Sequence, residues 1–156
     1  MYVTYGFAFH FFTLQNEPMG RIMAIDYGRV RTGLAVTDPM RIIATALATV
    51  DTPKLMDYLR TYCNKEEVDI FVVGIARHLD GTPSESMQLI EPFAVALGAT
   101  FPDKRVARID ERFTSKMAQQ AILASGIHKK ERRDKGRIDR VAATIMLQDF
   151  MRMNNI

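Results

Sequence analysis

The pattern of apolar and polar positions divides the chain into short strands, then alternating helices and strands. Ile22-Met23-Ala24-Ile25 is a continuous apolar run ending in Asp26, as expected of a central strand covered on both faces. A Gly28-to-Gly33 turn leads to Leu34-Ala35-Val36, a second strand, and Ile42-Ile43 to Val50 form a third. Connections this short predict an antiparallel meander. The period then changes. Leu55, Met56, Leu59, Tyr62 and Cys63 recur at helical spacing, and Thr52-Pro53 opens that helix. Ile70-Phe71-Val72-Val73, closed by Gly74, is another buried strand, and Val106-Ala107-Arg108-Ile109 is the fifth. Between them Ser84 to Leu97 reads as a helix with Pro92 inside it. An interior proline costs roughly 3 kcal/mol, so a kink or a late start is expected there. Thr114 can cap a helix carrying Met117, Ala118, Ala121 and Ile122. The stretch around Gly126 and Gly136 reads as a loop, and a last helix runs from about Asp139 to Met151. The order β-β-β-α-β-α-β-α predicts an α/β domain: a mixed five-stranded sheet, three antiparallel strands followed by α-linked strands, flanked by helices.

At 156 residues the chain fits one domain with one conventional core. Its composition, 47% hydrophobic and 25% charged, excludes wholesale disorder. The single Cys63 excludes a disulfide framework and a cysteine-based zinc site and suits a cytoplasmic protein. No apolar run reaches the roughly 18 residues of a membrane span, so no membrane partner is expected. Residues 1–18 carry one charge, Glu17, beside Phe7, Phe9, Phe11 and Phe12. No basic stretch precedes that apolar part, as a secretory signal would require. Met19-Gly20-Arg21 is a second start directly before the first strand. Residues 1–18 therefore read as an N-terminal extension or an upstream mis-start outside the core, with an added edge strand or a partner-binding arm as the alternative.

Charge is concentrated in one place. From His128 to Arg140 there are seven Lys/Arg against three acids, a local net of +4 in a chain of net +3. Such a segment gives salt-dependent, largely sequence-independent affinity for phosphodiesters. Its bland reading is a solvated charge run. It leads, however, into the helix that carries an unusual acid.

Three carboxylates stand where acids are unexpected. Asp26 ends a buried strand, although it could simply be a turn residue before Tyr27-Gly28. Glu111 follows a strand in Asp110-Glu111-Arg112, where only one of two adjacent residues can share Asp26's face. A surface Glu–Arg pair is the alternative. Asp139 lies on one helical stripe with Ala142, Ala143, Met146 and Phe150, the core-facing side of its helix. It could instead be an N-cap, but the capping-box position holds Ala142. Carboxylates converging from two strand ends and a helix start stay ionised only if cations neutralise them. An oxygen-ligand, partly hydrated site suits Mg2+ or Mn2+, weakly held without substrate. Two such ions can drive phosphodiester cleavage. His10, His78 and His128 show no ligand spacing.

The run Asp26-Tyr-Gly-Arg-Val-Arg-Thr-Gly-Leu-Ala-Val-Thr-Asp38 resembles the first motif of the YqgF-type proteins. Those bacterial proteins have the RNase H-like fold, are related to Holliday-junction resolvases and are linked to maturation of precursor 16S rRNA. Val72-Val73-Gly74 with Asp80-Gly81, Asp110-Glu111-Arg112-Phe113-Thr114-Ser115, and Asp139-Arg-Val-Ala-Ala-Thr-Ile-Met-Leu-Gln148 resemble the later motifs in order. The resemblance spans Met19 to Ile156. It implies an RNase H-like nuclease domain over 19–156 with Asp26, Glu111 and Asp139 as catalytic and metal-binding acids, and Arg31 and Arg112 near the substrate. The remaining candidate nucleic-acid contacts are Arg29, Arg77, Lys129, Lys130, Arg132, Arg133, Lys135 and Arg137. Two positions depart from the family pattern. Val30 stands where the family has Lys, which weakens one phosphate contact; Ala76 replaces a Pro, which leaves the 76–81 loop open.

The function expected is a metal-dependent endonuclease on structured nucleic acid, processing the 5′ end of precursor 16S rRNA in ribosome biogenesis, with a pre-ribosomal particle as the larger partner. A Holliday-junction resolvase acting on branched DNA is the alternative within the nuclease class. A non-catalytic RNA-binding ribosome assembly factor is the other alternative; loss of Glu111 or Asp139 would favour it, and both are present. A sugar-kinase or actin-like ATPase needs two such domains, more than this length supplies.

Overall fold

The computed structural model describes residues 19–78, 80–110, 120, 124 and 134–156. Its strands are β1 (Arg21–Asp26), β2 (Arg31–Thr37), β3 (Ala44–Asp51), β4 (Val68–Ile75) and β5 (Arg105–Asp110). Its described helices are α1 (Leu55–Cys63), entered through a 3-10 turn at Thr52–Lys54, α2 (Met87–Thr100) and α3 (Lys135–Met153). The sheet order is β3-β2-β1-β4-β5. β2 pairs antiparallel with β1 and with β3, whereas β4 runs parallel to β1 and to β5. This is the mixed five-stranded sheet that the hydrophobic pattern predicts. The carboxyl ends of β1, β4 and β5 consequently share one edge of the molecule, where open α/β sheets place their ligands.

Each face of the sheet carries its own core. Met23, Ile25, Leu34, Val36, Phe71 and Val73 pack with Leu55 and Leu59 of α1 and Ile90, Ala94 and Leu97 of α2. The alternate positions, Ile22, Ala24, Ala35, Ile70, Val72, Ala107 and Ile109, pack under Ala143, Met146, Leu147, Phe150 and Met151 of α3. Strand alternation makes this division, because neighbouring residues point to opposite faces. β1 and β4 are covered on both sides, which is why they read as unbroken apolar runs.

The structure departs from the sequence pattern at four boundaries. β3 begins at Ala44, and Ile42 and Ile43 lie exposed before it rather than in the strand. α2 starts at Met87 rather than Ser84 and keeps Pro92 inside it, at the sixth position, so the later start does not bring the proline into the first turn. β2 begins at Arg31, three residues before the apolar run. α3 begins at Lys135, not at Asp139, because Asp134 is its cap and accepts a hydrogen bond from the Arg137 backbone N–H. Asp139 is therefore not an N-cap, and Gly136 lies in the helix rather than in a loop. The helix expected from Thr114 and the loop around Gly126 fall outside the described residues.

Asp38 closes the β2–β3 connection. Its Oδ1 accepts the backbone N–H groups of Ile42 and Ile43, both at 2.7 Å, and its Oδ2 accepts that of Met40 at 3.0 Å. These bonds, that from Ile43 foremost, hold its carboxyl below the ordinary value of 3.8. A lowered folded-state pKa gives stability that is present above the unfolded value and lost as pH falls through the folded one. Thermal melts should therefore show wild type ahead of Asp38→Ala at neutral pH. The gap should close below about pH 4. A gap independent of pH would mean that the charge is not what holds the turn.

Candidate active site

Asp26 is the last residue of β1 and shares the parity of Ile22 and Ala24, so it belongs to the face covered by α3. Its partner across the antiparallel pair is Gly33. A Cβ placed on Gly33 would fall inside van der Waals contact of the Asp139 backbone carbonyl. Position 33 thus stands between the two acids: it is Asp26's cross-strand neighbour and the seat of Asp139's backbone. A glycine inside a strand marks a close approach of another chain segment, and here that segment is the second turn of α3. Asp139 is half-buried above the small pair Ala142 and Ala143, on the stripe that the sequence assigns to the core.

The start of α3 is fixed to the sheet by β3. Thr49, which pairs with Gly33 in register, donates its hydroxyl to the Gly136 carbonyl at 2.6 Å. It also accepts a hydrogen bond from Arg140 Nη1 at 3.3 Å. The β1–β2 turn is held separately. Thr52 donates its hydroxyl to the Gly28 carbonyl at 2.6 Å and its backbone N–H to the Val30 carbonyl at 2.9 Å, and its hydroxyl lies 3.0 Å from that of the buried Thr32. Sequence reasoning did not single out Gly33, Thr49 or Thr52. The sequence pattern takes Gly33 as the end of the turn and Thr52 only as a helix opening, whereas Gly33 lies inside β2; nothing local marks Thr49.

Among the candidate basic residues, Arg31 lies directly in the site, with Nε 3.1 Å from Asp139 Oδ2. Arg29 is exposed on the same turn, and Val30 is 66% exposed at its tip. The missing lysine would thus have pointed to solvent beside the acids. Arg77 is exposed after β4 and donates to the Gly81 carbonyl at 3.4 Å. The loop beyond Ala76 closes on itself: His78 N–H donates to the Thr82 carbonyl, Asp80 accepts from Thr82, and Ser84 donates its hydroxyl to the Ala76 carbonyl. Gly81 takes a positive φ of 86° within it. Lys135 is exposed and Arg137 half-buried in the first turn of α3. Glu111, Arg112, Lys129, Lys130, Arg132 and Arg133 lie outside the described residues. On β5, Ala107 and Ile109 face α3, while Arg108 pairs with Glu91 of α2 at 2.9 Å. Asp110 follows the parity of Arg108, and so does not share Asp26's face.

A family model described as RuvX, Holliday junction resolvase, matches residues 20–153. The chain belongs to the RuvX family. Relatives carrying the name "Putative pre-16S rRNA nuclease" include one from Porphyromonas gingivalis, 54% identical over 133 residues, and one from Flavobacterium johnsoniae, 51% identical over 133 residues. Each alignment covers 85% of this chain and 96% of the relative. Among solved structures, T. thermophilus RuvC in complex with a Holliday junction substrate superposes with a TM-score of 0.54 at 17% identity, covering 86% of this chain and 96% of that one. That likeness shows the fold: the RuvX chain is α/β with the RuvC, RNase H-like architecture.

The donors fit the divalent metal that such a nuclease would use. Asp26 and Asp139 both lie on the face of the sheet covered by α3 and offer hard carboxylate oxygens. Among the described residues no group of three or more His, Cys, Asp and Glu side chains converges. Oxygen donors of this kind suit a hard divalent cation.

Proposed function

We propose that this RuvX-family chain is a metal-dependent endonuclease that hydrolyses phosphodiester bonds near the 5′ end of precursor 16S rRNA. The observation that carries the reading is the seating of Asp139 on Gly33, the cross-strand partner of Asp26. That seating supports a shared role for two acids from distant parts of the sequence, near the edge where open α/β sheets bind their ligands. Glu111 is the third acid of the proposal, being two positions beyond Ile109, whose side chain faces α3. The domain that does this work is 19–156, with 1–18 outside it, in keeping with a family match that begins at residue 20.

Asp26, Glu111 and Asp139 would hold Mg2+ or Mn2+, two ions in all, which when bound supply a reactive water and stabilise the leaving oxygen. The basic residues position the nucleic acid. Lys135, Arg137 and Arg140 occupy the first turns of α3, where the helix dipole opposes cations and favours an anion. A phosphate backbone lying there would relieve both. Arg29, Arg31 and Arg77 would add to the nucleic-acid contacts, as would Arg112, Lys129, Lys130, Arg132 and Arg133, which lie outside the described residues. Work in the cytoplasm suits the free Cys63, and no described helix is long and apolar enough to cross a membrane.

The test is cleavage by purified protein of a precursor 16S rRNA and of a four-way DNA junction, with and without Mn2+ or Mg2+. Metal-dependent trimming of the RNA supports the proposal. Cleavage of the junction alone would support the second reading, DNA-junction resolution, which the description of the matching family favours. Inertness toward both, in either metal, would overturn the nuclease assignment.

The basic segment gives a separate expectation. Changing Lys129, Lys130, Arg132 and Arg133 together to Ala should weaken RNA binding strongly at moderate salt, with the slope of log K against log salt reduced by roughly 0.7–0.9 per lost contact. Much of the rate at saturating substrate should survive, because phosphate contacts position and do not react. Unchanged affinity and slope would move the binding face to Arg29, Arg31 and Arg77.

A further inference from the structure

Arg31 does more than sit near the substrate face. Its Nε is 3.1 Å from Asp139 Oδ2, so the carboxylate proposed as a metal ligand already has a cation beside it. Arg31's backbone is held on both sides. It opens β2 opposite Asp51 of β3, and its carbonyl lies close under Gly28, leaving no room for a side chain there. The side chain is different, being 36% exposed against 25% for Asp139. Ion pairs this open to water add little to stability. Among the described residues only its Nε makes a hydrogen bond, whereas a guanidinium has five N–H donors in a fork that matches phosphate. Among the described residues no acceptor takes its other donors, and donors of that geometry match a phosphate oxygen.

We propose that Arg31 is a built-in counter-cation for Asp139, which keeps the free protein poor in metal and releases the carboxylate when nucleic-acid phosphate engages its guanidinium. The inference rests on the metal-site reading above. A guanidinium and a dication compete for the same negative charge and repel one another when close. A phosphate that draws Arg31 away removes that competition. Metal and nucleic acid then favour each other's binding, and the coupling must be reciprocal. Such coupling would confine the hydrolytic ions to protein already holding a substrate. Arg31 is on this account a positioning residue acting through Asp139.

Mn2+ titration of the nucleic-acid-free protein tests this, with calorimetry as the readout and thermal melts to verify folding. Arg31→Ala should bind Mn2+ roughly three- to tenfold more tightly than wild type, the scale of one partly screened charge. Arg31→Lys keeps the charge and should stay near the wild-type affinity. Repeating the titration with saturating phosphorothioate RNA, which resists hydrolysis, should tighten Mn2+ binding in wild type by more than in Arg31→Ala. Arg31→Ala binding Mn2+ no better than wild type, or an equal gain from RNA in both proteins, overturns the counter-cation role. Asp139→Asn separates the two levels. If it leaves Mn2+ binding unchanged, the metal-site reading itself fails. If it abolishes binding while Arg31→Ala behaves as wild type, only the role of Arg31 fails.

Discussion

Asp26→Asn is expected to lower single-turnover cleavage at saturating RNA by about a thousandfold, the equivalent of several kcal/mol of transition-state stabilisation supplied through bound metal. The folded protein should be no less stable for the change. The amide keeps the shape of the carboxylate at the end of β1, so the register with Gly33 is undisturbed. In the proposed site the change would also remove one of several like charges, which repel one another. Melting in metal-free buffer should therefore be unchanged or raised by about 2–4 °C. Added Mn2+, which should stabilise wild type by mass action, should stabilise the variant far less. Asp139→Asn should be equally inactive but should not gain stability, because it also takes from Arg31 its carboxylate partner. Wild-type turnover in either variant would remove that acid from the site. Loss of activity with loss of folding would leave Asp26 a turn residue, the plain alternative its sequence context allows.

How far the site was legible depends on the range of the forces that form each part. The sheet was legible because its strands are local patterns. The unbroken runs 22–25 and 70–73 read as strands covered on both faces, and two cores meet there. The core-facing stripe of α3 was legible for the same reason, as Ala142, Ala143, Met146 and Phe150 recur at helical spacing and are buried. The start of that helix was not. Asp134 caps it through the Arg137 backbone N–H, and the Gly136 turn is held by Thr49, 87 residues away in sequence. A glycine and a cluster of charges argue locally for a loop; a hydrogen bond from β3 and the apolar stripe beyond decide for helix. The pairing of Arg31 with Asp139 spans 108 residues and was equally hidden. Resemblance to a family placed Arg31 near the substrate, but only the packing of α3 on β2 shows which group it touches.

Gly33→Ala should damage both stability and cleavage. A Cβ at position 33 meets the carbonyl oxygen and carbon of Asp139, which are backbone atoms and cannot rotate away. α3 would have to lift from β2 or slide along it. Forcing a methyl into such a contact costs about 1–3 kcal/mol, or roughly 3–10 °C of melting temperature for a chain this long. Lifting the helix also carries Asp139 away from Asp26. Misplacement of about 1 Å at a reacting centre can cost on the order of a hundredfold in rate, so kcat should fall well beyond what partial unfolding explains. RNA affinity should change less, because phosphate contacts are spread over many side chains. Gly98→Ala provides the control. Its Cβ would lie 3.8 Å from Val106 Cγ2, an ordinary contact inside α2, on the other face of the sheet. There alanine should stabilise by up to about 1 kcal/mol and leave cleavage untouched. A Gly33→Ala protein that melts and cleaves like wild type would mean that α3 does not rest on β2 at this point, and that Asp139 owes its place beside Asp26 to some other contact.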